Sequence, residues 1–420
     1  MNAVEKTITN WLNSFVGVVI FTVSMIAFYL PYEVEIIPEV VKALVPVRYV
    51  CGGLLIVCFF VLYCSRKRVF RDNWYLWAAC IFMGMLVFTT YMNGADMSSV
   101  LGKKGVTGIF AILNMAVFLK VNPKKYLLIA FFWYLLINIA NTFCLFYFWG
   151  VGLWEEWGTV RSELISLVGN YNGGVEFVLP MAVCGSAWAH RYGKWLEYIN
   201  YAAMVMSVIM ALKCDSLTQV AVFCAMIFFM ILGDIAMIAK GAARVIRWIF
   251  NPVFLTVINL IAYVGIIWMG NSGWLSRFGI DPDFHGRRHI WDMAINLIQQ
   301  KPIWGHGLES VDVIANKIYG YAHAHSFFLQ TQYMTGIVGT AVLAAALVIV
   351  IVAWFRVKND RLAYVMSFTM CCLCLTDLFE MYTVPFFIYT LGIIYYIGKT
   401  NVDEAPKARK KRGRIRETLG

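Results

Sequence analysis

Charge is scarce in this 420-residue chain: 14% of its residues are Asp, Glu, Lys or Arg, and 61% are apolar. Soluble domains carry about a quarter charged and near half apolar residues, so a soluble globular fold is excluded because it could not hide this surface. Ten-residue segments of alternating polarity are also missing, which excludes a membrane β-barrel. None of the eleven cysteines sits in a loop with disulfide or zinc-ligand spacing. They fall in or beside apolar runs, Cys371, Cys372 and Cys374 among them, and read as small buried packing residues. The first apolar run lacks a small-residue cleavage site and reads as an uncleaved anchor.

What the chain does have is long apolar runs, and crossing a bilayer core of about 30 Å takes roughly 20 such residues. The fold class is therefore all-α, a polytopic integral membrane protein with about 12 transmembrane helices. The expected spans are 14–31, 46–64, 74–92, 106–120, 126–149, 173–189, 196–212, 216–239, 252–270, 327–354, 362–380 and 384–398. They divide the chain into a membrane bundle over 1–270, an external loop over 271–326, a second bundle over 327–398 and a basic tail over 399–420. Of 35 Lys and Arg residues, 24 fall at one set of span ends and 11 at the other. The positive-inside bias then puts both termini in the cytoplasm. The net charge of +11 is thus mostly topology. Nucleic acid is not expected as a partner, because a basic tail this short is no folded domain, whereas membrane lipid is.

Polar chemistry concentrates in residues 271–326, the longest external connection. Loops beyond about 15 residues are usually functional or disordered, and this one carries two amphipathic stretches. Ile290, Met293, Ala294, Leu297 and Ile298 recur at helical spacing, with Pro302 as a stop. That face is expected to lie on the membrane. Leu308, Val311, Ile314, Ala315 and Ile318 repeat the pattern after the turn Pro302–Gly307. Two short helices and a glycine-rich elbow would then cap the bundle.

Five of the six histidines lie here, His285, His289, His306, His323 and His325, together with Arg277, Arg287 and Arg288. Cations gathered outside the positive side call for an anionic ligand, and phosphate matches the guanidinium fork. A histidine of ordinary pKa near 6.5 could take a proton from a sugar hydroxyl. For His323 and His325, capping or snorkelling at a helix start is the competing role. The histidine spacings match no zinc pattern, so neither a metal nor any other cofactor is expected.

The stretch from Gly286 to Gly339 resembles the O-antigen ligase and O-antigen polymerase superfamily of bacterial membrane glycosyltransferases. The matching residues are Gly286-Arg287 with Ile290-Trp291, Pro302-x-x-Gly305-x-Gly307, His323-x-His325 and Gly336-Ile337-Val338-Gly339. Gly169-Asn170-Tyr171-Asn172 looks like the family's Gly-Asn-x-Asn element. One departure is plain: where many members carry Ser-Arg, this chain reads Asp215-Ser216-Leu217-Thr218, with Lys213 nearby as a point charge or an interfacial anchor.

The resemblance implies transfer of a glycan from undecaprenyl diphosphate to an acceptor hydroxyl on a glycan or lipid, at the external face. It also implies work beside other polysaccharide-assembly proteins. Arg287, then Arg288 and Arg161, would hold the diphosphate, and His325, with His323 as alternate, would serve the acceptor hydroxyl. Asp377 and Glu380 would support an imidazole or arginine, or form a structural ion pair, with Asn170 and Asn172 as further supporting residues. Polymerisation of surface-polysaccharide repeat units is the favoured reaction, and ligation of a finished glycan is the alternative. Glu33 and Glu35 sit where another glycosyltransferase class keeps acidic residues, but they read as a solvated loop face. A transporter or flippase would keep polar groups and broken helices near the midplane, often with internal repeats, whereas the charges here gather at one face. No repeat is evident, and Gly336 and Gly339 read as close-packing positions.

Overall fold

The computed structural model describes residues 3–31, 37–64, 69–95, 97, 100, 106–147, 165–167, 169–170, 174–214, 216–239, 251–254, 256–258, 260–261, 287–318, 323–357 and 387–400. These form an all-α polytopic bundle. Helices α1 (Ala3–Asn13), α2 (Phe15–Phe28), α3 (Pro38–Cys64), α4 (Trp74–Met92), α5 (Val106–Val121), α6 (Pro123–Tyr147), α7 (Gly174–Tyr192), α8 (Trp195–Lys213) and α9 (Leu217–Ile238) follow one another. Then come α10 (Arg287–Gln300), α11 (Val311–Lys317), α12 (Phe327–Phe355) and α13 (387–400). Among the described residues, five helices are long and apolar enough to cross a membrane, or six if the bent pair α1–α2 is one span. The expected spans 252–270 and 362–380 fall largely or wholly outside the described residues.

Residue chemistry explains the order of the bundle. Helix α7 is buried throughout Phe177–Ala189 and so occupies the middle, as expected of a helix that is apolar all round. Polar side chains tie its neighbours together where no water competes: Asn200 Nδ2 donates to Ala182 O and Ser186 Oγ at 3.1 Å each, and Asn138 Nδ2 to Ser207 Oγ at 2.8 Å. Helices α1 and α2 meet at 71° over Ser14. The Lys125 ammonium donates to Asn13 O and Ser14 O, satisfying carbonyls that the end of α1 leaves without helical partners.

One end of the bundle is basic and laced together. Trp188 Nε1 donates to Lys124 O, Arg191 to Thr400 Oγ1, Tyr396 to Asn73, and Lys399 pairs with Asp72. At 1.5 Å per residue, Thr90 lies about 24 Å up α4 from Trp74. It is at that remote level that the 302–307 elbow meets the bundle.

The elbow enters a broken helix. The sequence predicts a span over 327–354, with Gly336 a packing position. Instead Gly336 takes φ 62° and ψ −165°, and the helix is interrupted there. In a continuous helix Ile337 N–H would bond Tyr333 O, and Val338 N–H would bond Met334 O. Here His306 N–H and Gly307 N–H donate to Tyr333 O and Met334 O at 2.7 and 2.9 Å, while Ile337 N–H and Val338 N–H donate to Pro302 O and Ile303 O at 2.8 and 3.4 Å. Each group orphaned by the break is satisfied by the elbow. A Cβ on Gly336 would stand 2.2 Å from Ile303 O, and one on Gly305 (φ 72°) 2.6 Å from Tyr333 O. The spacing Pro302-x-x-Gly305-x-Gly307 followed by Gly336 is therefore the sequence of two backbones in contact.

Helix α10 also departs from expectation. Its apolar face, Ile290, Ala294 and Ile298, is buried against protein, with α12 the main neighbour, and does not lie on the membrane. The reason is the elbow: once Pro302–Gly307 is drawn into α12, the preceding helix must lie along that helix too. Helix α11 begins at Val311, so Leu308 belongs to the elbow, where its N–H donates to Thr90 Oγ1 at 2.9 Å.

Gly336→Ala should lower stability by about 2–4 kcal/mol, from positive-φ strain and overpacking together. Gly84→Ala, where a Cβ would meet nothing within 4 Å, should be neutral or stabilising. Thermal midpoints of the two variants in detergent compare them directly.

Candidate functional site

The first turn before α12 carries the two histidines that the sequence singled out. Ser326 caps the helix by accepting from Leu329 N–H at 3.4 Å, and Gln330 Oε1 accepts from Ala324 N–H at 3.0 Å. Between these anchors His325 is held at φ 46°, a left-handed conformation that costs a non-glycine residue about 1–3 kcal/mol. The imidazoles of His323 and His325 lie 4.1 Å apart, and His325 N–H donates to His323 Nδ1 at 3.2 Å. A neutral His323 therefore carries its proton on Nε2.

Burial, then the neighbouring His323, then the Arg287 guanidinium push the His325 pKa down to about 3. The expectation of an imidazole with its ordinary value near 6.5 is corrected by this environment, which disfavours a second positive charge. The same interaction places Arg287 within electrostatic reach of His325. Arg288, beside it, is 3.9 Å from Asp292 one turn on, an ion pair weakened by the exposure of the aspartate. His289 is exposed.

Arg287 is the first residue of α10, and Phe327, two residues after His325, is the first of α12. The two groups whose charges interact thus stand at or just before helix N-termini. Each brings N–H groups without intrahelical acceptors and the positive end of its macrodipole, the setting in which anions bind. Beyond Phe327 the ring of Phe387, at the start of α13, packs at 4.3 Å, tilted by 31°. Two residues along α13, Tyr389 pairs with Tyr134, and the Tyr29 ring packs on it at 4.1 Å, tilted by 38°.

Of the predicted residues, the structure brings His323, His325 and Arg287 together, with Arg288 adjoining. Arg161, Asn172, Asp377, Glu380, Glu33, Glu35, His285 and Arg277 lie outside the described residues. Asn170 is described by its backbone, which pairs with Ile165 in a two-residue ladder (Ile165–Ser166 with Gly169–Asn170). Ser216 serves as the N-cap of α9, accepting from Gln219 N–H at 3.4 Å, and Lys213 is exposed at the end of α8.

Sequence reasoning missed a second polar group at the elbow. Glu309 accepts from Lys317 Nζ at 2.7 Å on both oxygens and from Tyr333 Oη at 2.5 Å. Tyr333 stacks on His306, 4.7 Å away and 14° from parallel, and His306 Nε2 bonds Leu297 O at 2.9 Å. Burial pushes the His306 pKa below its ordinary value. The only prior signal was a histidine between two glycines, which reads as loop.

No curated protein sequence matches the chain. Residues 201–344, which run from α8 through the elbow, both histidines and the break at Gly336, match the family model described as O-antigen ligase. Through that stretch, about a third of the chain, the protein is similar to the O-antigen ligase family.

Proposed function

We propose that this protein is a metal-independent membrane glycosyltransferase. It takes a glycan from undecaprenyl diphosphate on the external face of a bacterial inner membrane and passes it to a sugar hydroxyl, extending a surface polysaccharide by repeat units. The observation that carries this reading is the meeting of Arg287, two helix N-termini and a half-buried His325. Such a place suits a polyanionic leaving group beside an acceptor for one proton. The charge bias of the span ends supports an orientation with the basic end and both termini in the cytoplasm, and with 271–326 as the external catalytic loop.

In the reaction the acceptor oxygen forms a bond to the anomeric carbon as the bond from that carbon to the diphosphate oxygen breaks. The electron pair leaves on the diphosphate, whose growing charge Arg287 and the helix N-termini stabilise, with Arg288 and Arg161 as further cations. The hydroxyl proton passes to His325. An imidazole with a pKa of about 3 is a poor base in the empty site. A bound diphosphate offsets the Arg287 charge and raises that value, so base strength arrives with the donor. Asp377, Glu380, Asn170 and Asn172 are supporting candidates.

Ligation of a finished glycan to a lipid or protein would use the same donor site with another acceptor. A lipid-linked glycan transporter is the non-enzymatic reading, favoured by one observation, the broken α12. That break is filled by the chain's own elbow, which supports an enzyme instead. Lipid-linked glycan of increased length separates polymerisation from transport, which would alter sidedness at constant length.

With a defined undecaprenyl-diphosphate repeat unit in membranes, His325→Ala and Arg287→Ala should each insert normally and lose chain growth by about 100-fold or more, since removing one such stabilising donor costs roughly 10²–10³ in rate. Wild-type polymer length in both variants would overturn the site. The acid limbs of the pH profiles should also separate. kcat/KM reports the free protein and should show no loss from His325 protonation between pH 8 and about 5. kcat reports the donor-bound complex and should fall at a higher pH, because the raised pKa there protonates the base earlier.

A further inference from the structure

We infer that Glu309, Tyr333 and His306 form a positioning clamp that sets the distance between Arg287 and His325; the role rests on the site reading above. Arg287 stands at the N-terminal end of α10 and His325 just before α12, and these two ends are close enough for the charge of one to depress the basicity of the other. The far ends are joined as well. Leu297 O, near the C-terminus of α10, receives its bond from His306 Nε2 at 2.9 Å. Because a carbonyl can only accept, a neutral His306 has its proton on Nε2. The His306 ring then lies flat on Tyr333, 4.7 Å away, and the Tyr333 hydroxyl donates to Glu309 at 2.5 Å.

Both helices therefore run side by side in the same direction, pinned at one end and carrying the reacting groups at the other. Along α10, Leu297 is about 15 Å from Arg287, and along α12, Tyr333 is about 9 Å from Phe327, the first residue of the helix. Over such a lever, a swing of roughly 4° about the pinned end displaces the guanidinium by about 1 Å, and a misplacement of that size can cost about 100-fold in rate.

Glu309 is the keystone because it is held twice. Lys317 Nζ reaches both carboxylate oxygens at 2.7 Å and fixes the carboxylate, and the carboxylate in turn fixes the Tyr333 ring against His306. The tyrosine needs an acceptor more than it needs a charge. Glutamine offers one of similar shape, whereas alanine offers none.

The test uses the full-length protein in membranes with an undecaprenyl-diphosphate-linked repeat unit as donor. Glu309→Ala and Tyr333→Phe should lower kcat by about 10- to 100-fold while donor KM stays within about threefold, as expected when bound groups are misaligned and not lost. Glu309→Gln should return kcat to within about threefold of the unaltered protein. Tyr333→Phe keeps the ring and its stacking, so its thermal midpoint in detergent separates misalignment from unfolding. Unchanged kcat in Glu309→Ala and Tyr333→Phe, with His325→Ala inactive, would overturn the clamp and leave the site standing. Wild-type turnover in His325→Ala would overturn the site reading and the clamp with it. Equal losses in Glu309→Ala and Glu309→Gln would assign the role to the charge itself and overturn positioning.

Discussion

Four backbone hydrogen bonds between the 302–307 elbow and the interrupted helix at Gly336 hold the described site in place. Inside a membrane protein an unsatisfied peptide group costs several kcal/mol, so a helix opens only where something replaces its ladder. Here the replacement is reciprocal: two N–H groups and two carbonyls of the elbow take the places of the groups that the helix would have supplied to itself. Because the elbow cannot leave without exposing both partners, α10 is bound to α12, and Arg287 is brought to His325. The glycines follow from contact between backbones, since a Cβ at 305, 307 or 336 would stand within 3 Å of the opposing chain or helix.

The second dependence is electrostatic. Two helix N-termini and a guanidinium accumulate positive potential beside a tilted pair of imidazoles in a partly desolvated place, and the imidazole of His325 answers by staying neutral. Such an accumulation of positive potential favours an anion over a neutral solute. Nearby in the bundle Tyr134 and Tyr389 bond through their hydroxyls, and the Tyr29 ring packs against both.

Much of the fold was legible in the sequence because lipid leaves few options. Hydropathy located α4, α8 and α12 within a residue or two, and the 3.6-residue period found α10. The break at Gly336 was not legible, because its partner lies some thirty residues earlier and Gly-Ile-Val-Gly also reads as a packing motif. The orientation of α10 was misread for the same reason: an apolar stripe does not say whether lipid or protein covers it. At the site, His323, His325 and Arg287 stood out by type and by lying against the topological charge bias. Glu309 and Tyr333 did not, since a carboxylate in a polar loop and an aromatic in an apolar span are what those settings ordinarily contain. His306 was visible as a histidine and invisible as a helix cap.

Chain order gives the elbow one more property. Residues 302–307 leave the ribosome before 333–338, so the complement to the break already exists when the glycine that opens the helix is made. The reverse order would present an incomplete helix to the insertion machinery with nothing to close it. The interrupted span is thus a late arrival to a prepared seat, and its insertion and the assembly of the site become one event, with only the short segment between Leu308 and Ser326 to be looped out.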